Sequence, residues 1–90
     1  MWTLVHVELE NKVSSAKRAI FDEEMAARKW QKLPDPYTTW IASWKDGITA
    51  SQANRQTELD VASAAETAGI SVYEAVMHVG PGKPTRFSNQ

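Results

Sequence analysis

The spacing of apolar residues, which changes repeatedly along the chain, is the feature that most constrains the fold. From Trp2 to Leu9 the residues alternate, with Thr3, Val5, Val7 and Leu9 on one side. A period of two is that of a β-strand with one apolar face. From Asn11 the period lengthens to that of a helix, which we expect to bury one stripe of residues: Val13, Ala16, Ile20, Ala27 and Trp30.

Prolines end this first helix. In Leu33–Pro36, each proline lacks an amide donor and drives the residue before it toward extended geometry. The next segment, Tyr37–Trp44, is rich in aromatic and β-branched residues and is predicted to form a second strand. Trp40 and Trp44 share one face of it and are expected in the core.

A second helix is predicted from Thr49 to Ala68. Its stripe consists mainly of alanine and follows steps of three and four residues throughout, so the helix should pack close to the element it covers. Thr49 or Ser51 can cap its start, and Gly69 can adopt the left-handed conformation at its end.

The segment 64–80 admits two interpretations, a helix-turn-helix or a helix followed by a strand. The first is suggested by Ala65 and Gly69, whose spacing is similar to that in the turn of many repressors. A recognition helix needs lysine, arginine, asparagine or glutamine side chains, however, and residues 70–79 contain none. The same residues alternate with a period of two. We therefore predict a third strand here, and nucleic acid is not an expected partner.

The predicted order is strand, helix, strand, helix, strand, in one small α+β domain covering residues 1–80. Right-handed crossovers would place both helices on one face of a largely parallel sheet of three or four strands. A short hairpin partner near Lys45–Ile48 would bring the topology closer to a ferredoxin-like fold, and the sequence leaves this choice open. Residues 81–90 are rich in glycine and proline and are expected to form a flexible tail.

Composition narrows the classes of function. The chain has 90 residues and no cysteine, which excludes disulfide staples, thiolate metal sites and a thiol nucleophile. Its formal net charge of −1 directs it neither to nucleic acid nor to an anionic membrane. No basic and apolar leader and no apolar run of membrane-spanning length occurs, so we expect a cytoplasmic protein without membrane contact.

Both histidines are predicted on the sheet face opposite the helices. If the first and last strands were neighbours, the candidate group His6, Glu8, Glu74 and His78 could perform acid–base catalysis or share a divalent metal. The spacing of these residues matches no specific metal signature. We therefore predict no metal and no cofactor, and enzyme activity is the less favoured interpretation.

Exposed apolar residues on the same face predict a partner-binding surface. Four tryptophans are many for 90 residues, and aromatic side chains often anchor protein interfaces. Trp30 is included because basic residues surround it in the sequence. The predicted partner-binding residues are Trp2, Leu4, His6, Trp30, Val72 and Val76.

The favoured hypothesis is a small non-catalytic protein-interaction module, a regulator or inhibitor that binds a larger protein. An open sheet face with these apolar residues needs a helix, a target or a second copy of the chain to cover it. Small regulators made by mobile elements have this size and lack of motifs, which is an analogy only. The alternative is a compact dimeric enzyme, or a ligand or metal binder, that uses the histidines and glutamates of the sheet.

Overall fold

One antiparallel sheet of four strands, with two helices packed on it, makes up a small α+β domain in the computed structural model, which describes residues 1–34 and 38–88. The elements are β1 (Trp2–Leu9), α1 (Ser15–Ala27), β2 (Gln31–Lys32), β3 (Thr39–Ser43), α2 (Ala50–Ala68) and β4 (Tyr73–Gly80). The strand order is β2-β3-β1-β4. The predicted α+β class is therefore confirmed, and of the three or four strands expected the sheet has four. Pro36 and Tyr37, at the predicted helix boundary and strand start, lie outside the described residues.

The expectation of a largely parallel sheet is wrong, because the apolar pattern does not reveal the short strand β2. Gln31 of β2 lies opposite Ile41, and the two strands are antiparallel. This hairpin reverses the chain, so β3 runs antiparallel to β1. The expected hairpin partner near residues 45–48 is absent from those described residues, where Asp46 and Gly47 instead form a turn with Gly47 at a φ of +92°.

The first helix buries a different stripe from the predicted one. Phe21 and Met25 are its buried residues, one turn apart. Ile20 is 40% exposed, and Ala16 and Ala27 are also exposed. Trp30 and Val13, which flank the helix, are buried and partly buried as predicted. Within α1 the predicted stripe is wrong, because burying Phe21 and Met25 removes more apolar surface from water than burying the alanines would.

The second helix follows the predicted pattern. The Thr49 hydroxyl accepts a hydrogen bond from the backbone N–H of Gln52 at 3.1 Å, and the Gln52 side chain accepts one from the Thr49 N–H at 2.9 Å. Gly69 ends the helix in the left-handed conformation, with a φ of +74°. The buried residues of α2 are Ala53, Thr57, Asp60, Val61, Ala64, Ala65 and Ala68.

Both helices pack against the sheet face formed by the odd-numbered residues of β1. Val5 and Val7 are almost completely buried there. Phe21 of α1 contacts Trp40 of β3 edge to face, with ring centroids 6.4 Å apart, and Val61 of α2 belongs to the same apolar cluster. One face of the sheet therefore carries the core, and the other is free of helices.

Residues 73–80 form a strand, which confirms the strand interpretation and rejects the helix-turn-helix. β4 pairs with β1 along its whole length, from Trp2 opposite Gly80 to Leu9 opposite Tyr73. A strand at the edge of a sheet cannot act as a recognition helix in the major groove.

Replacing Ala64 with leucine should destabilise the domain by about 1–3 kcal/mol, because overpacking a filled core forces its neighbours apart. Ala64 is 0% exposed in the contact between α2 and the rest of the core. Ala62→Leu is the matched control, since Ala62 is exposed on the same helix, and it should change stability by less than about 0.5 kcal/mol. Urea unfolding of both variants measures the difference, and equal stabilities would contradict close packing of α2.

Candidate functional site

The sheet face turned away from the helices carries most of the residues that the sequence indicated. The even-numbered residues of β1 point to this side, and β1 and β4 are neighbours, a condition that the sequence left open. His6 lies opposite Val76, and Leu4 lies opposite His78. We call this surface the outer face; it consists of Trp2, Leu4, His6, Glu8, Thr39, Ile41, Glu74, Val76 and His78.

His6 is held between a carboxylate and two hydroxyl groups. Its Nε2 atom lies 3.0 Å from Glu8 Oε2, and its Nδ1 atom lies 3.2 Å from Thr38 Oγ1 and 3.3 Å from Thr39 Oγ1. The His6 and Glu8 side chains are 45% and 70% exposed, so water screens their interaction. The arrangement orients the imidazole ring and ties β1 to the start of β3.

The four predicted catalytic candidates do not form a single cluster. His78 lies opposite Leu4 rather than His6, and its ring lies beside Gly80, where a Cβ atom would be 3.6 Å from His78 Nε2. Glu74 lies directly opposite Glu8, and like charges in that position repel. Within residues 1–34 and 38–88, no group of three histidine, aspartate or glutamate side chains could hold a metal ion.

The C-terminal segment lies against the half of the outer face nearest β3. The Lys83 ammonium group is 5.5 Å from the centroid of the Trp2 ring. Residues 85–87 line a cavity together with Leu4. Ile41 points to this side of the sheet, away from the helices, yet it is only 2% exposed. This half of the outer face is therefore covered by the chain itself.

The other half of the outer face, on β4, is open to solvent. Val76 is 73% exposed, and Val72, just before the strand, is 57% exposed. Glu74 and His78 are exposed on the same side of the strand. We call this surface the β4 patch and define it by Val72, Glu74, Val76 and His78. The patch combines two exposed valine side chains with the carboxylate of Glu74 and the imidazole of His78.

Trp30 does not belong to the surface, so its predicted role as a partner anchor is wrong. It is 4% exposed, and its indole N–H donates a hydrogen bond to Asp60 Oδ2 at 2.9 Å. Lys29, at a φ of +73°, lies in the left-handed region between α1 and Trp30, where the chain turns into the core. Trp44 packs edge to face on Trp30, with ring centroids 6.1 Å apart.

Asp60 is the buried polar residue that the apolar pattern did not indicate. Besides the Trp30 indole, its carboxylate accepts a hydrogen bond from Gln56 Nε2 at 2.8 Å. The sequence contains one indication that Asp60 is buried, which is its place beside Val61 on the alanine-rich stripe of α2. The carboxylate serves the core and takes no part in the outer face.

Comparison with models of protein families, with curated proteins and with solved structures finds no match to the chain. In the part of the chain that the structure describes, no helix has both the length and the apolar character needed to cross a bilayer. The chemistry of the site is therefore inferred from the residues of the outer face alone.

A chain that ends at Gly82 should be less stable than the full chain by about 1–2 kcal/mol, because Trp2 and Leu4, which lie beside residues 83–87, would become more exposed. Urea unfolding measures the loss. Lys83→Met is the control: it removes the cation–π contact with Trp2 but keeps the segment, and it should cost less than about 1 kcal/mol. A shortened chain as stable as the full one would contradict a covering role for the segment.

Proposed function

We propose that this protein is a small non-catalytic protein-binding module, a regulator or inhibitor that acts on a larger protein in the cytoplasm. The observation that supports the proposal is the β4 patch, where Val76 and Val72 are 73% and 57% exposed on and beside a regular strand. A partner that removes these side chains from water gains free energy roughly in proportion to the apolar area covered.

The groups around the two valines suggest the chemistry of the partner. Glu8 and Glu74 lie opposite each other on neighbouring strands, with His6 beside Glu8. A lysine or arginine of the partner placed between the two carboxylates would relieve their repulsion. A partner that presents an apolar side chain flanked by a basic one therefore suits this surface.

A groove at the border between the β4 patch and the C-terminal segment offers a place for an anchoring side chain. Its volume is about 280 Å³, and Trp2, Leu4, His78, Pro81 and Pro84 are among the residues that line it. Interfaces often gain most of their binding energy from one such anchor in a pocket. In this proposal Trp2 and Leu4 contact the partner through the groove, while Val72 and Val76 contact it directly.

We also propose that the fold is ferredoxin-like. The strand order β2-β3-β1-β4, with every neighbouring pair antiparallel and both helices on one face, supports a ferredoxin-like arrangement. In that arrangement one sheet face carries no helix, as the outer face carries none here.

Partner capture with matched surface variants tests the proposed function. Val76→Ser removes an apolar side chain from the β4 patch, and Leu59→Ser removes one from α2, where Leu59 is 51% exposed. We expect the captured partner to bind Leu59→Ser as it binds the unchanged chain. It should bind Val76→Ser roughly tenfold more weakly, because about 1.4 kcal/mol of apolar burial is lost.

The comparison requires both variants to be folded, which circular dichroism establishes before capture. Failure to capture any protein that distinguishes the two variants would contradict the proposal. So would equal weakening by both substitutions, since that would place the binding energy outside the β4 patch.

The geometry of His6 supports a second candidate function, a compact enzyme completed by a second subunit. A ring oriented by Glu8 and by the hydroxyls of Thr38 and Thr39 is suited to proton transfer. The non-catalytic proposal is favoured because the ring is nearly half exposed and thus strongly hydrated.

His6→Ala separates the two candidates. It should change the free energy of unfolding by less than about 1 kcal/mol, because the His6–Glu8 pair is exposed. We expect the unchanged chain and the variant to hydrolyse a small activated ester at the same rate, as a non-catalytic protein would. A rate that depends on His6 in a folded variant would favour the enzyme instead.

A further inference from the structure

The outer edge of β4, the side that does not pair with β1, is available for a further interaction. We propose that this edge pairs antiparallel with the same edge of a second copy of the chain, joining two four-stranded sheets into one continuous sheet. The proposal goes beyond the protein-binding function, because it concerns the backbone edge of β4 and a second copy of this chain.

The two edges of the sheet are protected to very different degrees. β2, at one edge, has only two residues and includes Lys32. β4, at the other edge, has eight residues, 73–80, with no lysine and no proline. In the described part of the chain no strand pairs with its outer side. Proteins usually shorten, charge or interrupt an edge that is not meant to pair. β4 is neither short nor interrupted, and Glu74 is its single acidic side chain.

The hydrogen bonds of β1 establish which backbone groups of β4 point outward. The Val7 N–H donates to the Thr38 carbonyl at 3.0 Å, and the Trp44 N–H donates to the Met1 carbonyl at 2.9 Å. The odd-numbered residues of β1 therefore bond toward β3, and the even-numbered ones bond toward β4. In an antiparallel pair both residues of a bonded position face each other. The outward N–H and C=O groups of β4 thus belong to Tyr73, Ala75, Met77 and Val79.

Complementarity between the Glu74 carboxylate and the His78 imidazole selects the register of the pairing. With the two-fold axis at Val76, Glu74 of each copy lies opposite His78 of the other copy, and the two Val76 side chains are adjacent. These are the non-bonded positions of the new pair, where side chains approach most closely. Each Glu74 then gains an imidazole partner, which offsets its repulsion by Glu8.

The neighbouring registers lack this match. With the axis at Ala75, Glu74 would lie opposite Val76. With the axis at Met77, Val76 would lie opposite His78, and Glu74 would lie opposite Gly80. Both alternatives place a polar group against a residue that cannot pair with it, so the Val76 register is favoured.

On the sheet face that carries the helices, the side chains of the two copies also fit each other in size. A mostly apolar groove of about 130 Å³ lies between β4 and α2, and Val61, Ala75 and Met77 are among its lining residues. In the Val76 register, the exposed Ala75 of one copy lies opposite Met77 of the other. The long, flexible methionine side chain can extend over the small alanine into the groove. Pairing therefore buries apolar surface as well as satisfying backbone groups.

Solution mass measured by light scattering at rising protein concentration tests the pairing. We expect the mass to rise from 10.1 kDa to twice that value. Ala75→Pro should raise the dissociation constant roughly tenfold or more, because each copy loses an outward donor. Proline is tolerated where the lost N–H faces solvent, so the variant should fold. A mass of one chain at every concentration would overturn the proposal.

Hydrogen exchange of the unchanged chain gives a readout that needs no variant. The amides of Tyr73, Ala75, Met77 and Val79 should exchange more slowly as concentration rises, since only pairing protects them. The amides of Glu74 and His78 already bond to β1 and should change little. Rapid exchange of the odd-numbered amides in a sample with the mass of two chains would show that the copies meet elsewhere, which overturns the edge pairing.

A single introduced thiol tests the register, because the chain contains no cysteine. In the Val76 register the two copies of Val76→Cys face each other at a Cα separation of about 4.5 Å, which suits a disulfide. Ala75→Cys is the control, since Ala75 lies opposite Met77. With oxidised glutathione added as the oxidant, we expect Val76→Cys to form the covalent dimer roughly tenfold faster than Ala75→Cys. Equal or reversed rates would overturn this register.

These measurements use the protein alone, so their outcome is separable from that of partner capture. A strictly monomeric protein that still captures a partner through Val76 would overturn the edge pairing and leave the proposed function standing. A dimer that captures no partner would support the edge pairing and contradict the proposed function.

Discussion

The fold depends on β1, the strand that pairs with β3 on one side and with β4 along its whole length on the other. Its alternating side chains serve two surfaces at once. Val5 and Val7 enter the core beneath both helices, while Leu4 and His6 point to the outer face. A shift of one residue in the pairing would exchange the two sets, so the core and the outer face are maintained by the same register.

The two halves of the outer face differ in how much of them is exposed to solvent. Both helices lie on the opposite side, and the C-terminal segment lies over the half near β3, where Ile41 is buried. Among the large apolar residues of the sheet itself, Val76 on β4 is the most exposed, and Val72 lies just before that strand. Because β4 is also the long unprotected edge, one strand offers both a side-chain surface and a backbone surface.

Several elements could be predicted because local spacing determines them. The alanine-rich stripe of α2, its Thr49 cap and its Gly69 end were all readable, since each depends on neighbours within a few residues. The alternation in β1 likewise indicated which residues face the core. The two-residue strand β2 has too few positions to show a period, and the rotation of α1 toward Phe21 and Met25 depends on what those side chains meet. The carboxylate of Asp60 receives the Trp30 indole from a segment 30 residues away, which no local pattern reveals.

The sequence by itself determined the α+β class, the second helix, the two long strands and the pairing of apolar with polar faces on each, because these follow from side-chain periodicity. Only the tertiary structure decided that β1 and β4 are neighbours, that Trp30 and Ile41 are buried and that β4 is an open edge. These properties depend on which distant segments meet. Such contacts are selected by the total apolar surface and hydrogen bonding that the whole chain can satisfy, and no single stretch of residues contains that information.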